Sequence, residues 1–206
     1  MMHIALIHSG VTGTEQCYRG DAALRYRRER ITADWQPCFD NDDVVLVPNG
    51  ANHVALYEAR ARLHAFLERG GALLCFCGFF TPWLPGNQWR HDIGRDLRQL
   101  RYRVLRDELQ LFDGVDAEEL CVDSHGIRGG WACGDIVTQH SDSVVMTDNY
   151  QRTLLVADRR STGGLIIATA SGPLSDDTPQ APAHGARRLY RNILRACRDH
   201  REAQRD

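Results

Sequence analysis

The sequence predicts an α/β fold in which helices cover both faces of a mainly parallel central sheet. Short runs that are apolar at every position, instead of at every second position, begin the chain and recur in its first half. Such runs are typical of parallel strands that are buried on both faces. Segments of helical composition separate them, and a β-rich second half ends in an amphipathic helix. The order strand–helix–strand–helix–strand favours crossover connections within one layered domain.

The chain begins with two predicted strands that flank a predicted helix. Residues 3–8 form the first strand, and the apolar residues 43–48 form the second. The turn residues Asn49 and Gly50 end the second strand. Between the two strands, residues 21–31 have helical composition and begin with an aspartate that can cap a helix.

The strongest helix prediction covers residues 54–69. Its apolar stripe consists of Leu56, Ala59, Leu63, Phe66 and Leu67. Gly70 and Gly71 then supply a C-terminal stop, and residues 72–77 form the third buried strand. An aromatic loop follows over residues 79–89, and loops of this length in compact domains often carry function.

The second half of the chain changes to short β segments. Residues 92–101 and 115–120 are predicted as short helices or turns, and residues 185–198 as the closing helix. The predicted strands lie at residues 133–139, 143–146, 153–157 and 165–170. We expect a single domain over residues 1–198, followed by a charged tail over residues 199–206.

The composition and charge of the chain limit the classes of partner that we expect. The net charge of -2 gives no electrostatic reason to predict a nucleic-acid or membrane partner. No apolar run is long enough to span a bilayer. Residues 10–14 lack the lysine of a Walker motif and the spacing of the dinucleotide fingerprint. We expect a small-molecule ligand and no cofactor, and assembly into a homo-oligomer stays open.

The cysteines predict a reducing compartment. The chain has 7 of them, an odd number. Because residues 1–2 lead directly into the first predicted strand, we expect no signal peptide. This usage is typical of reduced thiols, so we expect a cytoplasmic location. Cys75 and Cys77 form a C-x-C pair, and no second pair stands at zinc-finger spacing. No structural zinc site is therefore predicted.

Four segments carry a family resemblance. They are the first strand with its polar loop, residues 43–50, the helix that closes on Gly70 and Gly71, and residues 164–169 before the terminal helix. Together they resemble the class I glutamine-amidotransferase-like superfamily, and within it the ThuA-like and galactosidase-trimerisation-like branch. The resemblance covers nearly the whole chain, and it implies a flavodoxin-like three-layer α/β/α sandwich.

The resemblance also assigns a nucleophile, with two departures from the family pattern. Cys77 falls where the superfamily places its nucleophilic cysteine. The family's turn reads Gly-x-Cys-x-Gly, but Cys75 and Phe79 occupy the glycine positions here. The family's His-x-Glu dyad follows the late strand, where residues 169–172 of this chain read Thr-Ala-Ser-Gly. Cys77 thus lacks the base that the family uses.

Other histidines are the candidates to replace that base. A thiol becomes nucleophilic when a helix N-terminus, a cation or a histidine lowers its pKa. The predicted catalytic residues are therefore Cys77, His91 and His53. The predicted substrate-binding residues are Asn49, Trp83, Trp89, Asp92 and His125. Structural roles for these residues stay open as alternatives. Cys77 would then be a buried thiol, the histidines would form structural hydrogen bonds, and the aromatic loop would pack on the core or on a partner subunit. No helical histidine pair at metal-ligand spacing occurs, so no metal is predicted.

Two functional hypotheses follow. One is a small-molecule enzyme of the amidotransferase-like superfamily that acts on a carbohydrate-like or amide substrate at Cys77. The other is a non-catalytic ligand-binding or scaffolding domain that lacks the Cys-His-Glu triad. A metal-dependent hydrolase that uses the histidines and aspartates is a weaker third alternative.

Overall fold

The computed structural model describes residues 1–11, 16–76, 78–91, 94, 96–122, 132–172, 174–176 and 185–204. The strands are β1 (Met2–His8), β2 (Leu24–Arg30), β3 (Val44–Val47), β4 (Ala72–Phe76), β5 (Asn87–His91), β6 (Tyr102–Val104), β7 (Gly134–Thr138), β8 (Val144–Asp148), β9 (Thr153–Asp158) and β10 (Leu165–Thr169). The helices are α1 (His53–Glu58), α2 (Arg60–Glu68) and α3 (Gly185–Ala203), and short 3₁₀ turns lie at Leu97–Gln99, Ala117–Cys121 and Ser141–Ser143.

The described strands form a mixed central sheet and a small second sheet. The central sheet has 8 strands in the order β2-β1-β3-β4-β10-β9-β8-β6. Neighbours from β2 to β10 pair in parallel, and the pairings from β10 through β9 and β8 to β6 are antiparallel. The sequence predicts a mainly parallel sheet, whereas the structure joins a parallel half to an antiparallel half. The protein is an α/β protein with a mixed sheet and few described helices.

The predicted helix over residues 21–31 is wrong, because this segment is the edge strand β2. It pairs with β1 in parallel from Met2↔Leu24 to His8↔Arg30. Arginine and glutamate give the segment helical composition, but pairing along the whole of β1 outweighs this weak propensity. Tyr26 also anchors the strand, since its hydroxyl lies 2.6 Å from that of Tyr190.

The other predicted strands are confirmed, with small shifts of their ends. β7, β8, β9 and β10 match the four strands predicted in the second half. The aromatic loop, in contrast, contains the strand β5, which pairs with β7 as the separate two-stranded sheet. The alternation of buried Asn87 and Trp89 with exposed neighbours accounts for this strand.

The predicted helix over residues 54–69 is divided. α1 ends at Glu58 and α2 begins at Arg60, with Ala59 between them. The buried face of α2 consists of Leu63, Phe66 and Leu67. The closing helix α3 continues past the predicted end at residue 198, through Ala203. Among the described residues, no helix is both long and apolar enough to cross a membrane.

The core lies around the parallel half of the sheet. Every residue of β3, β4 and β10 is buried. α3 contacts β4 and β10, and the Tyr190 ring packs edge-on against Phe76 at 6.2 Å between centroids. Because β1, β3, β4 and β10 are parallel, their carboxyl ends lie at one edge of the sheet, which we call the carboxyl edge.

Candidate functional site

The loops that follow β1 and β3 meet at the carboxyl edge. The Asn52 backbone N–H donates to Ser9 Oγ at 2.8 Å, which ties the β1 loop to the start of α1. Asn52 is also the N-cap of α1, since its Oδ1 accepts from the backbone N–H groups of Val54 and Ala55. This double anchor fixes the position of His53, the first residue of α1.

The loop after β4 holds His53 from a second side. Gly78 has a φ of +71°, and its carbonyl accepts from the Phe80 N–H at 3.0 Å, which makes a tight turn. Thr81 Oγ1 donates to the His53 carbonyl at 2.7 Å. The indole N–H of Trp83 donates to His53 Nδ1 at 3.2 Å. Two loops, after β3 and after β4, therefore set the orientation of the imidazole.

These contacts define the protonation state of His53. Burial lowers the pKa of its imidazole from 6.5 to about 4, so the ring is neutral at pH 7. Because Nδ1 accepts from Trp83, the proton of the neutral ring is on Nε2. Nε2 lies 4.0 Å from the position that a Cβ atom on Gly78 would occupy. His53 thus presents an N–H donor next to the turn after β4, with no free basic nitrogen.

The structure joins four predicted site residues in one aromatic row. The His53 ring stacks on Trp83 at 6.3 Å and meets Phe80 edge-on at 5.9 Å. Phe80 meets Trp89 at 4.8 Å, and Trp89 in turn lies 5.5 Å from His91. The aromatic row therefore runs from the start of α1 to the end of β5.

Only part of the aromatic row faces solvent. Trp83 is fully buried and Trp89 is 5% exposed, so the two predicted stacking residues pack inward. Phe80 is 64% exposed. His91 is exposed at the far end of the row. The aromatic surface that a ligand can reach is Phe80, which the sequence places in the loop without distinguishing it from its neighbours.

The small β5–β7 sheet attaches to the end of β10 through one carbonyl. The oxygen of Ala170 accepts from Trp89 Nε1 at 3.4 Å and from the Cys133 N–H at 3.3 Å. Cys133 Sγ lies 3.4 Å from the same oxygen. Cys133 is exposed, so the carboxyl edge holds a described thiol that sequence reasoning missed. No sequence motif identifies Cys133 as a site residue, because its neighbours at the carboxyl edge come from the end of β10.

Asn49 lies at the same edge, where the β3 and β10 loops touch. Asn49 is exposed, and its Cβ is 2.9 Å from the position that a Cβ atom on Gly172 would occupy. The adjacent hydroxyls bond locally, since Thr169 Oγ1 donates to the Ser171 carbonyl and Ser171 Oγ to that of Gly172. The segment that aligns with the family's His-x-Glu dyad thus supplies no acid or base.

Three predicted site residues, Cys77, Asp92 and His125, lie outside the described residues. Cys77 follows Phe76, the last residue of β4, and precedes Gly78 in the chain. Its partner in the C-x-C pair, Cys75, is fully buried, and burial raises the pKa of its thiol well above the ordinary value. Cys75 is therefore not nucleophilic, and the catalytic role of Cys77 stays a prediction.

No cluster of three histidine, cysteine, aspartate or glutamate side chains in the described part of the chain could hold a metal ion. Comparison with protein-family models, with curated proteins and with solved structures gives no match. The carboxyl edge itself is therefore the basis for proposing a function.

Proposed function

We propose that this chain is a glutamine-amidotransferase-like protein of the ThuA-like type that acts on a small amide or carbohydrate-like molecule at the carboxyl edge. The observation that carries the proposal is the convergence on His53. The loops after β3 and β4 orient its imidazole, and its Nε2–H lies beside Gly78, the residue after Cys77. In open α/β sheets, ligands collect at such carboxyl ends.

The proposal includes a flavodoxin-like three-layer arrangement. Complete burial of β3, β4 and β10 supports it, because strands buried on both faces require cover on both. α3, which contacts β4 and β10, is one cover, and the α1–α2 pair is the proposed other.

The chemistry proposed for this edge is acyl transfer through the Cys77 thiolate. The thiol first releases its proton to solvent, the thiolate sulfur attacks the amide carbonyl carbon, and the C–N bond breaks as the leaving nitrogen takes up a proton from solvent. Water then hydrolyses the thioester and restores the thiol. A neutral imidazole N–H can stabilise the oxyanion of both steps, so His53 acts as a donor in this scheme and not as a base.

A second candidate, a non-catalytic ligand-binding or scaffolding domain, is favoured by a different observation. Residues 169–172 hold hydroxyls that bond to their own backbone carbonyls. In the described structure, the His53 ring has no lone pair available for a base. The exposed ring of Phe80 would then serve as a contact surface for a ligand or partner.

Amide hydrolysis separates the two candidates. Ammonia release is measured with L-glutamine and a panel of primary amides for the wild-type protein and for Cys77→Ser and Cys38→Ser. The first candidate predicts release that Cys77→Ser abolishes and Cys38→Ser retains, since Cys38 is exposed and precedes β3, on the amino side of that strand. Release that survives Cys77→Ser contradicts it. If there is no release, but a disaccharide such as maltose binds the wild type and not Phe80→Ala, the second candidate is favoured.

A further inference from the structure

The Nε2–H of His53 is a donor that another molecule can reach. His53 is half-buried and its Nδ1 accepts from Trp83, but its Nε2 has no described hydrogen-bond partner and is not a buried atom. A Cβ atom on Gly78 would lie 4.0 Å from Nε2, in ordinary van der Waals contact. Because Gly78 has no side chain, a ligand can approach the backbone closely at this point and reach the donor.

The ring of Phe80 borders the same space beside Gly78. Its Cε2 and Cζ atoms lie 3.4 Å and 3.9 Å from the position that a Cβ atom on Gly78 would occupy. The ring is largely exposed, although edge-on contacts with His53 and Trp89 hold it in place. The Nε2–H donor and a fixed, exposed aromatic ring therefore lie side by side, and a planar ligand with one acceptor would contact both.

The described surroundings of this space carry no charge that acts on His53. Burial is the only cause of the lowered pKa of its imidazole, and no described carboxylate or guanidinium contributes to it. Arg30 lies at the same edge beside Gly10, but it does not affect the pKa of His53. Val11, on the loop after β1, and Val54, the second residue of α1, are further exposed hydrophobic residues of this edge. A charged ligand would therefore lose hydration here without gaining a partner of opposite charge.

We propose that the space beside Gly78 binds an uncharged aromatic carboxamide. The amide oxygen accepts from the Nε2–H of His53, and the aromatic ring of the ligand packs against Phe80. The proposal rests on the proposed function for the amide group alone, because that group is what the Cys77 thiolate would attack. The neutral donor and the exposed ring select the rest of the ligand. They favour an aromatic carboxamide over glutamine, whose ammonium and carboxylate need charged partners.

Ligand NMR titrations of Cys77→Ser, which lacks the proposed nucleophile, test the binding with three matched probes. The probes are benzamide, cyclohexanecarboxamide without the aromatic ring, and benzoate with a charge in place of the amide. We expect benzamide to bind about two- to tenfold more tightly than cyclohexanecarboxamide. It should bind about tenfold or more tightly than benzoate. Absence of benzamide binding, or equal or tighter binding of either other probe, would overturn the proposal.

A second substitution and a matched control locate the binding. Phe80→Leu in the same background removes the aromatic ring and keeps an apolar side chain. It should weaken benzamide binding about two- to tenfold and abolish the preference over cyclohexanecarboxamide. Tyr150→Leu makes the same kind of change on the turn between β8 and β9, where Arg152 lies over the exposed tyrosine ring, and should leave binding unchanged. Thermal melting confirms that both variants are folded. Unchanged binding in Phe80→Leu, or an equal loss in Tyr150→Leu, contradicts the site.

Ammonia release by the wild type separates failure of this proposal from failure of the proposed function. Release from benzamide with a kcat/KM above that for L-glutamine supports both. Release from L-glutamine with an equal or higher kcat/KM overturns the aromatic preference and leaves the amidotransferase-like function standing. No release from either amide, together with the expected benzamide binding, contradicts the proposed function and supports the binding site.

Discussion

The buried, neutral state of His53 predicts a specific loss of stability in acid. The pKa of its imidazole is 6.5 when free and about 4 in the fold. The unfolded chain therefore binds a proton between these values that the folded chain does not. His53 therefore contributes stability above pH 6.5, and this contribution is lost as the pH falls towards 4. The unfolding free energy thus decreases on acidification.

The magnitude follows from the same two values. A lowering of the pKa by about 2.5 units corresponds to about 3 kcal/mol before solvent screening is taken into account. Because His53 is only half-buried, solvent screening reduces this to about 1–2 kcal/mol. Other groups also titrate in acid, so the informative quantity is the difference in unfolding free energy between the wild type and His53→Gln.

Urea denaturation at pH 7 and at pH 4.5 measures that difference. We expect the wild type to be more stable than His53→Gln at pH 7, and this advantage to shrink by about 1–2 kcal/mol at pH 4.5. His91→Gln makes the same replacement at the exposed end of the aromatic row and controls for the loss of a ring. An advantage that is the same at both pH values, or that grows in acid, would refute the neutral, buried imidazole.

Two further predictions concern the fold. Gly164→Ala should lower the unfolding free energy by about 3 kcal/mol in urea denaturation, because its Cβ would lie 2.3 Å from the Gly71 carbonyl oxygen. The control is Gly163→Ala, whose Cβ would lie 3.1 Å from its nearest neighbouring atom. It should lower the unfolding free energy by less than about 1 kcal/mol. Equal losses in the two variants would contradict the close packing at Gly164. Tyr26→Phe should lower the unfolding free energy by about 1–2 kcal/mol, because it removes the hydroxyl that lies 2.6 Å from the buried Tyr190 hydroxyl. A melting temperature unchanged by Tyr26→Phe would show that this contact does not hold the edge strand.

The sequence predicts the buried strands well because their chemistry is local. β1, β3, β4 and β10 are apolar at nearly every position, and only a strand covered on both faces accommodates such runs. β2 is different, because its seven residues include several arginines and gain their conformation from pairing with β1. A partner distant in the chain decides its conformation, so periodicity and propensity cannot predict it.

The candidate site also has some features that the sequence predicts and others that depend on long-range packing. His53 is predictable as a residue near the carboxyl edge, because it follows the turn that ends a buried strand. Its protonation state is not predictable, because that depends on Trp83, 30 residues further along the chain. The same long-range packing buries Trp83 and leaves Phe80 exposed. The sequence alone does not predict which of these two aromatic residues of the loop is exposed.

The central claim is that the carboxyl edge activates Cys77 next to the His53 donor, and alkylation of single cysteines tests it most directly. Iodoacetamide labelling at pH 7, read by peptide mass spectrometry, gives one rate for each thiol, and exposed Cys38 is the internal reference. We expect Cys77 to react about tenfold faster than Cys38, and His53→Gln to remove most of this advantage. A Cys77 rate equal to or below that of Cys38 would contradict the claim.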